Sequence, residues 1–348
     1  MNGSPEKLRS GCKINLWLRV GAVRACGLHE LSSFMLPLAE PHDEIAVQAA
    51  RRRPEGSVTT RFLAASGQPV PDIDTENNTL IRACARFAEY TGFAPALDIT
   101  VRKGVPHGAG LGGGSADAAA LLRFLRRKAS RAVCADALRE AETFVRLATQ
   151  TGSDVPFFLR NAPARVSGVG EIVEVAPNPF PSFFLLLLCP DLRISTAWAF
   201  TELDRRRGPG VLPEAGYGPP RRETPSDCAQ RSADLQHDTD PQNSAAAPGL
   251  STLSAASASP YVNDFEDIVF ARYPELGRYR AGLESFGAVQ ARMSGTGAAL
   301  FGLFRARKNA AEAARALAGS GCSVYMQQLP RSGQAGKPSI EGRRAAGV

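Results

Sequence analysis

"PHGAGLGGGSADAAALL" spans residues 106–122 and sets five glycines within residues 108–114, directly ahead of an alanine-rich apolar run. The first turn of a helix leaves backbone N–H groups without partners and carries the positive end of the macrodipole. A glycine-cleared approach to such a turn suits a phosphate, and glycine accepts the left-handed backbone that a tight loop needs. The same residues can also make a plain strand-to-helix turn with nothing bound, and the stretch alone does not separate the two.

Its surroundings narrow the choice. "ALDITVRKGV" (96–105) has strand character, while Asp117–Lys128 and Ala135–Gln150 keep helical spacing, so no second parallel strand follows promptly. Gly108, Gly110 and Gly113 satisfy G-x-G-x-x-G, yet the dinucleotide fingerprint needs a βαβ unit and an acidic residue closing the next strand. Neither is evident. The chain has no G-K-[ST] for a Walker loop and no H-R-D or D-F-G for a protein kinase.

Further out, "KINLWLRV" (13–20) alternates with period two, "DEIAVQ" (43–48) resembles it, and "TLIRACARFAEYTG" (79–92) is helical up to Gly92. "FFLLLL" (183–188) is a buried strand, too short for a membrane span. "STAWAFTELD" (195–204) is helical. Residues 205–260 are rich in Pro, Gly, Ser, Asp and Ala with Tyr217 as the sole aromatic, and so are expected to form a largely disordered insertion. A helical segment resumes at 262, "VQARMSGTGAALFGLF" forms two strands about a glycine turn, "NAAEAARALAGSG" is a helix, and 331–348 is a solvated tail.

A chain of 348 residues with 44% hydrophobic and 22% charged content is a globular protein with room for two domains. The net charge of +7 comes from scattered arginines without a basic stripe interleaved with aromatics, and it suits an anionic small molecule as well as it suits nucleic acid, which the arginines of the insertion leave as a further alternative. Seven cysteines, odd in number and never in a C-x-x-C pair, point to a reducing compartment and away from zinc. "INLWLRV", interrupted by Arg19, is too short for a signal peptide, so the expected location is the cytoplasm.

Three more stretches carry chemistry. Lys13 and Asn15 share one face of a strand, in a chain where only six of 41 basic residues are lysine. Asp154 in "TGSDVPFFL" (151–159) sits between a small-residue turn and an apolar strand, placed either to accept a proton or to cap a turn. "MSGTGAALFG" (293–302) is a second glycine turn. The ordered set K-x-N-L, P-x-G-A-G-L-G-G-G-S-A-D-A-A-A, G-S-D-V-P-F-F, N-D-F-E and M-S-G-T-G-x-x-x-F-G resembles the GHMP kinase superfamily over roughly residues 11–204 and 261–328.

That resemblance implies an α+β fold of two domains. An N-terminal ribosomal S5 domain 2-like α/β domain is expected over 1–176. A C-terminal ferredoxin-like domain is expected over 177–330, interrupted by the 205–260 insertion. It implies ATP and Mg²⁺, with Lys13 and Asp154 as the catalytic pair. Pro106, His107, Gly108, Ala109, Gly110, Leu111, Gly112, Gly113, Gly114, Ser115 and Ala116 match the ATP phosphate loop, with the Ser115 hydroxyl placed to assist phosphate or magnesium. Gly295, Thr296 and Gly297 match the motif near the transferred phosphate, and Asn15 lies beside the catalytic pair.

The triple glycine and "GSDVPFF" resemble the branch that phosphorylates a cytidine diphosphate-linked polyol on the non-mevalonate route to isoprenoid precursors. There His29 in "LHELSS" and Phe200 match residues that grip the cytidine. Leu28 stands where that branch usually has a tyrosine, which removes one aromatic face. The implied protein works as a monomer or weak homodimer, without nucleic acid or membrane. A GHMP kinase with another alcohol acceptor and an inactive nucleotide-binding regulator are the alternatives.

Overall fold

The computed structural model describes residues 4–50, 53–132, 141–208, 262–319 and 321–330. The chain begins with a long antiparallel pair, β1 (Glu6–Val23) and β2 (His29–Ala49). The second edge of β2 is shared. β5 (Ala164–Gly168) pairs with its first half, and β4 (Leu97–Arg102) pairs with its second half. β3 (Val58–Leu63) lies parallel to β4, and β6 (Ile172–Val175) lies antiparallel to β5.

One face of this sheet is covered by α1 (Thr79–Thr91), α2 (Gly113–Ala132), α3 (Ala141–Thr151) and α4 (Val155–Arg160). The α1 boundaries follow local chemistry. The Asn78 side chain accepts from the N–H groups of Leu80 and Ile81 at 3.0 and 3.2 Å, and Gly92 ends the helix with φ +69°.

The second sheet has the order β10-β7-β9-β8, all antiparallel, from β7 (Phe184–Pro190), β8 (Gln290–Met293), β9 (Leu300–Phe304) and β10 (Cys322–Gln328). Helices α5 (Thr196–Arg207), α6 (Glu266–Arg272), α7 (Pro274–Ser285) and α8 (Arg307–Leu317) cover its outer face. This is the ferredoxin-like β-α-β-β-α-β arrangement.

The two sheets pack directly on each other. Ile14 and Leu16 of β1 and Phe34 and Leu36 of β2 meet Leu185 and Leu187 of β7 and Phe301 and Leu303 of β9 in a common core. Leu186 and Leu188 turn the other way, onto Ile194, Phe265 and the outer helices. A strand buried on both faces reads as a continuous apolar run, which is why 183–188 has no alternation. Truncating one of these leucines to alanine costs about 2–5 kcal/mol.

Three expectations need correction. The run after Asp154 is helix α4 rather than a strand: Pro156 has no N–H for a ladder but fits the first turn of a helix. Arg205, Arg206 and Arg207 belong to α5 and Gly208 caps it, so the insertion cannot begin at 205; residues 209–260 lie outside the described residues, as does the 331–348 tail. The segment resuming at 262 is helical only from Glu266, and it divides at Tyr273–Pro274. The ion pair Arg207–Asp264 at 2.6 Å ties the end of α5 to the approach to α6.

Candidate active site

The glycine loop hangs between β4 and α2 and is anchored at both ends. At its entry the fully buried Asp43 of β2 accepts from the N–H groups of Gly104 and Val105 at 2.7 and 2.8 Å. Lys103 bonds to Asp43 and reaches Asp117 of α2 at 3.3 Å, while Ser10 of β1 donates to Asp117. Burial raises the Asp117 carboxyl to about 6, against the opposing pull of Lys103 and Ser10. Burial also opposes the charge on Lys103, but Asp117 and Asp43 hold its ammonium above the usual lysine range.

Within the loop, Gly108, Gly110 and Gly112 adopt φ of +71°, +75° and +69°. Between them Ala109 and Leu111 insert into the core shared by the two sheets. Their carbonyls accept from Ala299 N–H at 3.1 Å and Lys13 N–H at 2.9 Å. The loop is therefore stitched to β1 on one side and to the 293–299 turn on the other. At Gly110 a Cβ would run into the Ser294 carbonyl, so only glycine permits this approach.

Lys13 lies at that seam. Its ammonium donates to Asn15 Oδ1 at 2.6 Å and to the Gly110 carbonyl at 2.9 Å, and stands 3.7 Å from Asp154 Oδ2. The Lys13 side chain is 5% exposed and that of Asp154 is 26% exposed. Asp154 precedes α4 yet makes no capping bond, so its carboxylate is free of the structural role open to it in the sequence. Asn15 is held in turn: its Nδ2 donates to Ser33 Oγ at 2.8 Å, and Ser33 donates to the Trp17 carbonyl at 2.7 Å.

Gly295 closes the other side, where a Cβ would lie 3.4 Å from the Lys13 ammonium. Thr296 Oγ1 is 3.3 Å from Thr196 Oγ1 at the start of α5. Lys13, Asn15, Asp154, the glycine loop and the 295–297 turn thus surround one point. A Gly112 Cβ would stand 3.3 Å from Asp154 Oδ2, which puts the carboxylate against the loop.

The residues matched to cytidine lie apart, where the β1–β2 hairpin meets α5. The His29 and Phe200 rings stack on each other with centroids 4.9 Å apart and planes at 28°, and Phe200 packs edge-on against Phe265. His29 Nδ1 faces the Gly21 carbonyl at 3.2 Å, and Nε2 lies 3.2 Å from Asp204. Leu28 is 51% exposed at the hairpin end.

The sequence reading did not single out Asp204, one helical turn after Phe200, or the Asp43–Lys103 pair. Period-four spacing on α5 could have exposed the first, but nothing local marks the second. Among the described residues no group of three or more His, Cys, Asp or Glu could hold a metal ion. A divalent ion here would draw its ligands mainly from phosphate and water, the usual habit of Mg²⁺, and the Ser115 hydroxyl at the start of α2 fits one protein ligand to it.

A family model described as the GHMP kinases N terminal domain matches residues 78–161, and one for the GHMP kinases C terminal domain matches 246–322. The chain is 40% identical over 327 residues to a 4-diphosphocytidyl-2-C-methyl-D-erythritol kinase of Nitratidesulfovibrio vulgaris, covering 92% of this chain and 98% of that protein. It is 37% identical to a protein of the same description from Solidesulfovibrio magneticus, covering 91% and 95%. A crystal structure of 4-(cytidine 5'-diphospho)-2C-methyl-D-erythritol kinase superposes with a TM-score of 0.61 at 26% identity, over 93% of this chain and 99% of that one. The mevalonate kinase of Methanococcus jannaschii, 10% identical with a TM-score of 0.56, shares the fold.

Proposed function

Because the chain belongs to the GHMP kinase family, among its 4-diphosphocytidyl-2-C-methyl-D-erythritol kinases, we propose that Lys13 and Asp154 carry out transfer of the ATP γ-phosphoryl group to the 2-hydroxyl of that polyol. The observation that carries this assignment is the partly exposed Asp154 carboxylate, 3.7 Å from a buried lysine at the mouth of the glycine loop. Phosphoryl transfer needs positioning and charge stabilisation more than covalent help.

The glycine loop and the N-terminus of α2 receive the triphosphate of ATP. Asp154 accepts the proton of the attacking hydroxyl, and Lys13 sets a positive charge beside the developing alkoxide. Asn15 and the Gly110 carbonyl fix the Lys13 ammonium, so its position is set before substrate arrives. Ser115 would help hold Mg²⁺, which when bound would neutralise phosphate charge. His29, Phe200 and Leu28 form the cytidine end of the acceptor site, and the stacked rings supply its apolar wall.

The enzyme acts as a monomer or weak homodimer in the cytoplasm. Five described cysteines are free thiols, which fits a reducing compartment, and among the described residues no helix is long and apolar enough to cross a membrane. The test is ADP release with Mg-ATP and a panel of diphosphocytidyl methylerythritol, unconjugated methylerythritol phosphate, mevalonate, homoserine and galactose. Turnover confined to the cytidine-bearing acceptor is expected. Turnover on another member would keep the kinase and discard this acceptor.

A further inference from the structure

The N-D-F-E stretch, residues 263–266, backs the site assigned above at Gly295 and Phe200, and every one of its polar side chains is committed. Asn263 is buried, and its Nδ2 donates to two carbonyls of the second glycine turn, Met293 at 2.8 Å and Gly295 at 2.8 Å. Its Oδ1 accepts from Phe265 N–H at 3.0 Å, which aims the amide. Glu266 receives the Met293 N–H at 2.8 Å from the other side and is paired to Arg280 at 3.0 Å. Asp264 faces away from the turn, accepting from Val20 N–H at 2.8 Å and pairing with Arg207. The backbone of the same stretch bonds to Leu18 in both directions: Leu18 N–H donates to Val262 at 2.7 Å, and Asp264 N–H to Leu18 at 3.0 Å.

The stretch is thus a bracket between β1, which carries Lys13, and the turn that carries Gly295. Gly295 has φ +58°, and a Cβ there would stand 3.1 Å from the Gly110 carbonyl oxygen and 3.4 Å from the Lys13 ammonium. Its carbonyl accepts from the amide of Asn263.

We propose that Asn263 is a positioning residue for phosphoryl transfer, fixing the 293–297 turn against Lys13 and the glycine loop. This rests on the kinase assignment above. The Asn263 amide is buried and its bonds run to the Met293 and Gly295 carbonyls and the Phe265 N–H, so its loss displaces the reacting centre without removing a binding group. Misplacement of that kind lowers turnover on the order of 10²-fold.

The experiment measures kcat and both KM values for Asn263→Ala, Asn263→Ser and Asp264→Ala beside the wild type, with thermal unfolding of each. Asn263→Ala is expected to lose kcat on the order of 10²-fold while both KM values stay within about threefold. Asn263→Ser keeps one donor and is expected to recover part of that loss, and it also serves if the alanine variant does not fold. Asp264→Ala removes the other side of the bracket, so it is expected to lower the unfolding temperature with kcat close to wild type. A folded Asn263 variant with wild-type kcat overturns the proposal, as does a kcat loss as large in Asp264→Ala. A wild type inactive on the cytidine-bearing acceptor overturns the functional assignment instead, and the same kcat ratios are then read on the acceptor it does phosphorylate.

Discussion

Two lysines of this chain sit against aspartates out of bulk water, and they have opposite characters. Lys103 is held between Asp43 and Asp117 with Ser10 completing the set, and Asp43 is fully buried. Lys13 is as deeply buried, but most of its bonding goes to neutral oxygens, and its carboxylate partner stands 3.7 Å away with a quarter of its surface open. The first set is saturated and can only hold elements together. The second leaves a carboxylate with unspent acceptor capacity, which is what a proton acceptor needs.

The sharpest way to break that contrast is Asp154→Asn. Turnover should fall by about 10²–10⁴-fold. Nucleotide affinity and the unfolding midpoint should stay near wild type, since the carboxylate caps nothing. A variant with most of its activity would remove Asp154 from the chemistry.

Lys103→Met should do the reverse. It leaves two buried carboxylates without a counter-charge, a change that costs about 3–5 kcal/mol of stability. Denaturant titration measures it, and an unchanged midpoint would show that the cluster is not structural.

Between the two lies Gly112→Val. The new side chain must adopt φ +69° and meet the Phe158 ring. Backbone strain of about 1–3 kcal/mol would be relieved by shifting the loop, which should weaken ATP binding roughly tenfold or more in equilibrium titration. Unchanged ATP affinity in a folded variant would count against the loop as the phosphate site.

A smaller effect separates the sets by pH. The Asp117 carboxyl lies near 6 in the folded chain against an ordinary 3.8, so the folded state holds its proton more tightly. The stabilisation it gives is complete below about 3.8 and is lost as pH rises through about 6. Asp117→Asn should flatten that part of the stability–pH curve, and a curve with the same slope would assign the titration elsewhere. Smallest is Asp204→Ala: a polar contact to His29 Nε2 whose carboxylate is half open to solvent contributes about 0–1 kcal/mol, so the acceptor KM should rise by no more than about fivefold, with ATP KM unmoved.

Much of this was legible in the sequence because loops carry their chemistry locally. Five glycines before an alanine run, a lysine two residues from an asparagine, and an aspartate in a G-S-D turn are visible in short windows. What stayed hidden depends on distant partners. Alternation along 13–20 marked Ile14 and Leu16 as core but could not show that the opposite face, with Lys13 and Asn15, is covered as well. The cover comes from the glycine loop and a turn some 280 residues later. The run after Asp154 was ambiguous for a different reason, since four to six apolar residues fit either a strand or a short helix.

The joined ends at Arg207 and Asp264 have a consequence for how this enzyme can vary. Once the exit and re-entry points of a chain segment are tied together by the folded body, the length of what hangs between them barely registers in stability: each doubling adds only about 0.6 kcal/mol. With Arg207 and Asp264 tied, changing the length of 209–245, ahead of the family-matched 246–322, should cost the folded body little stability.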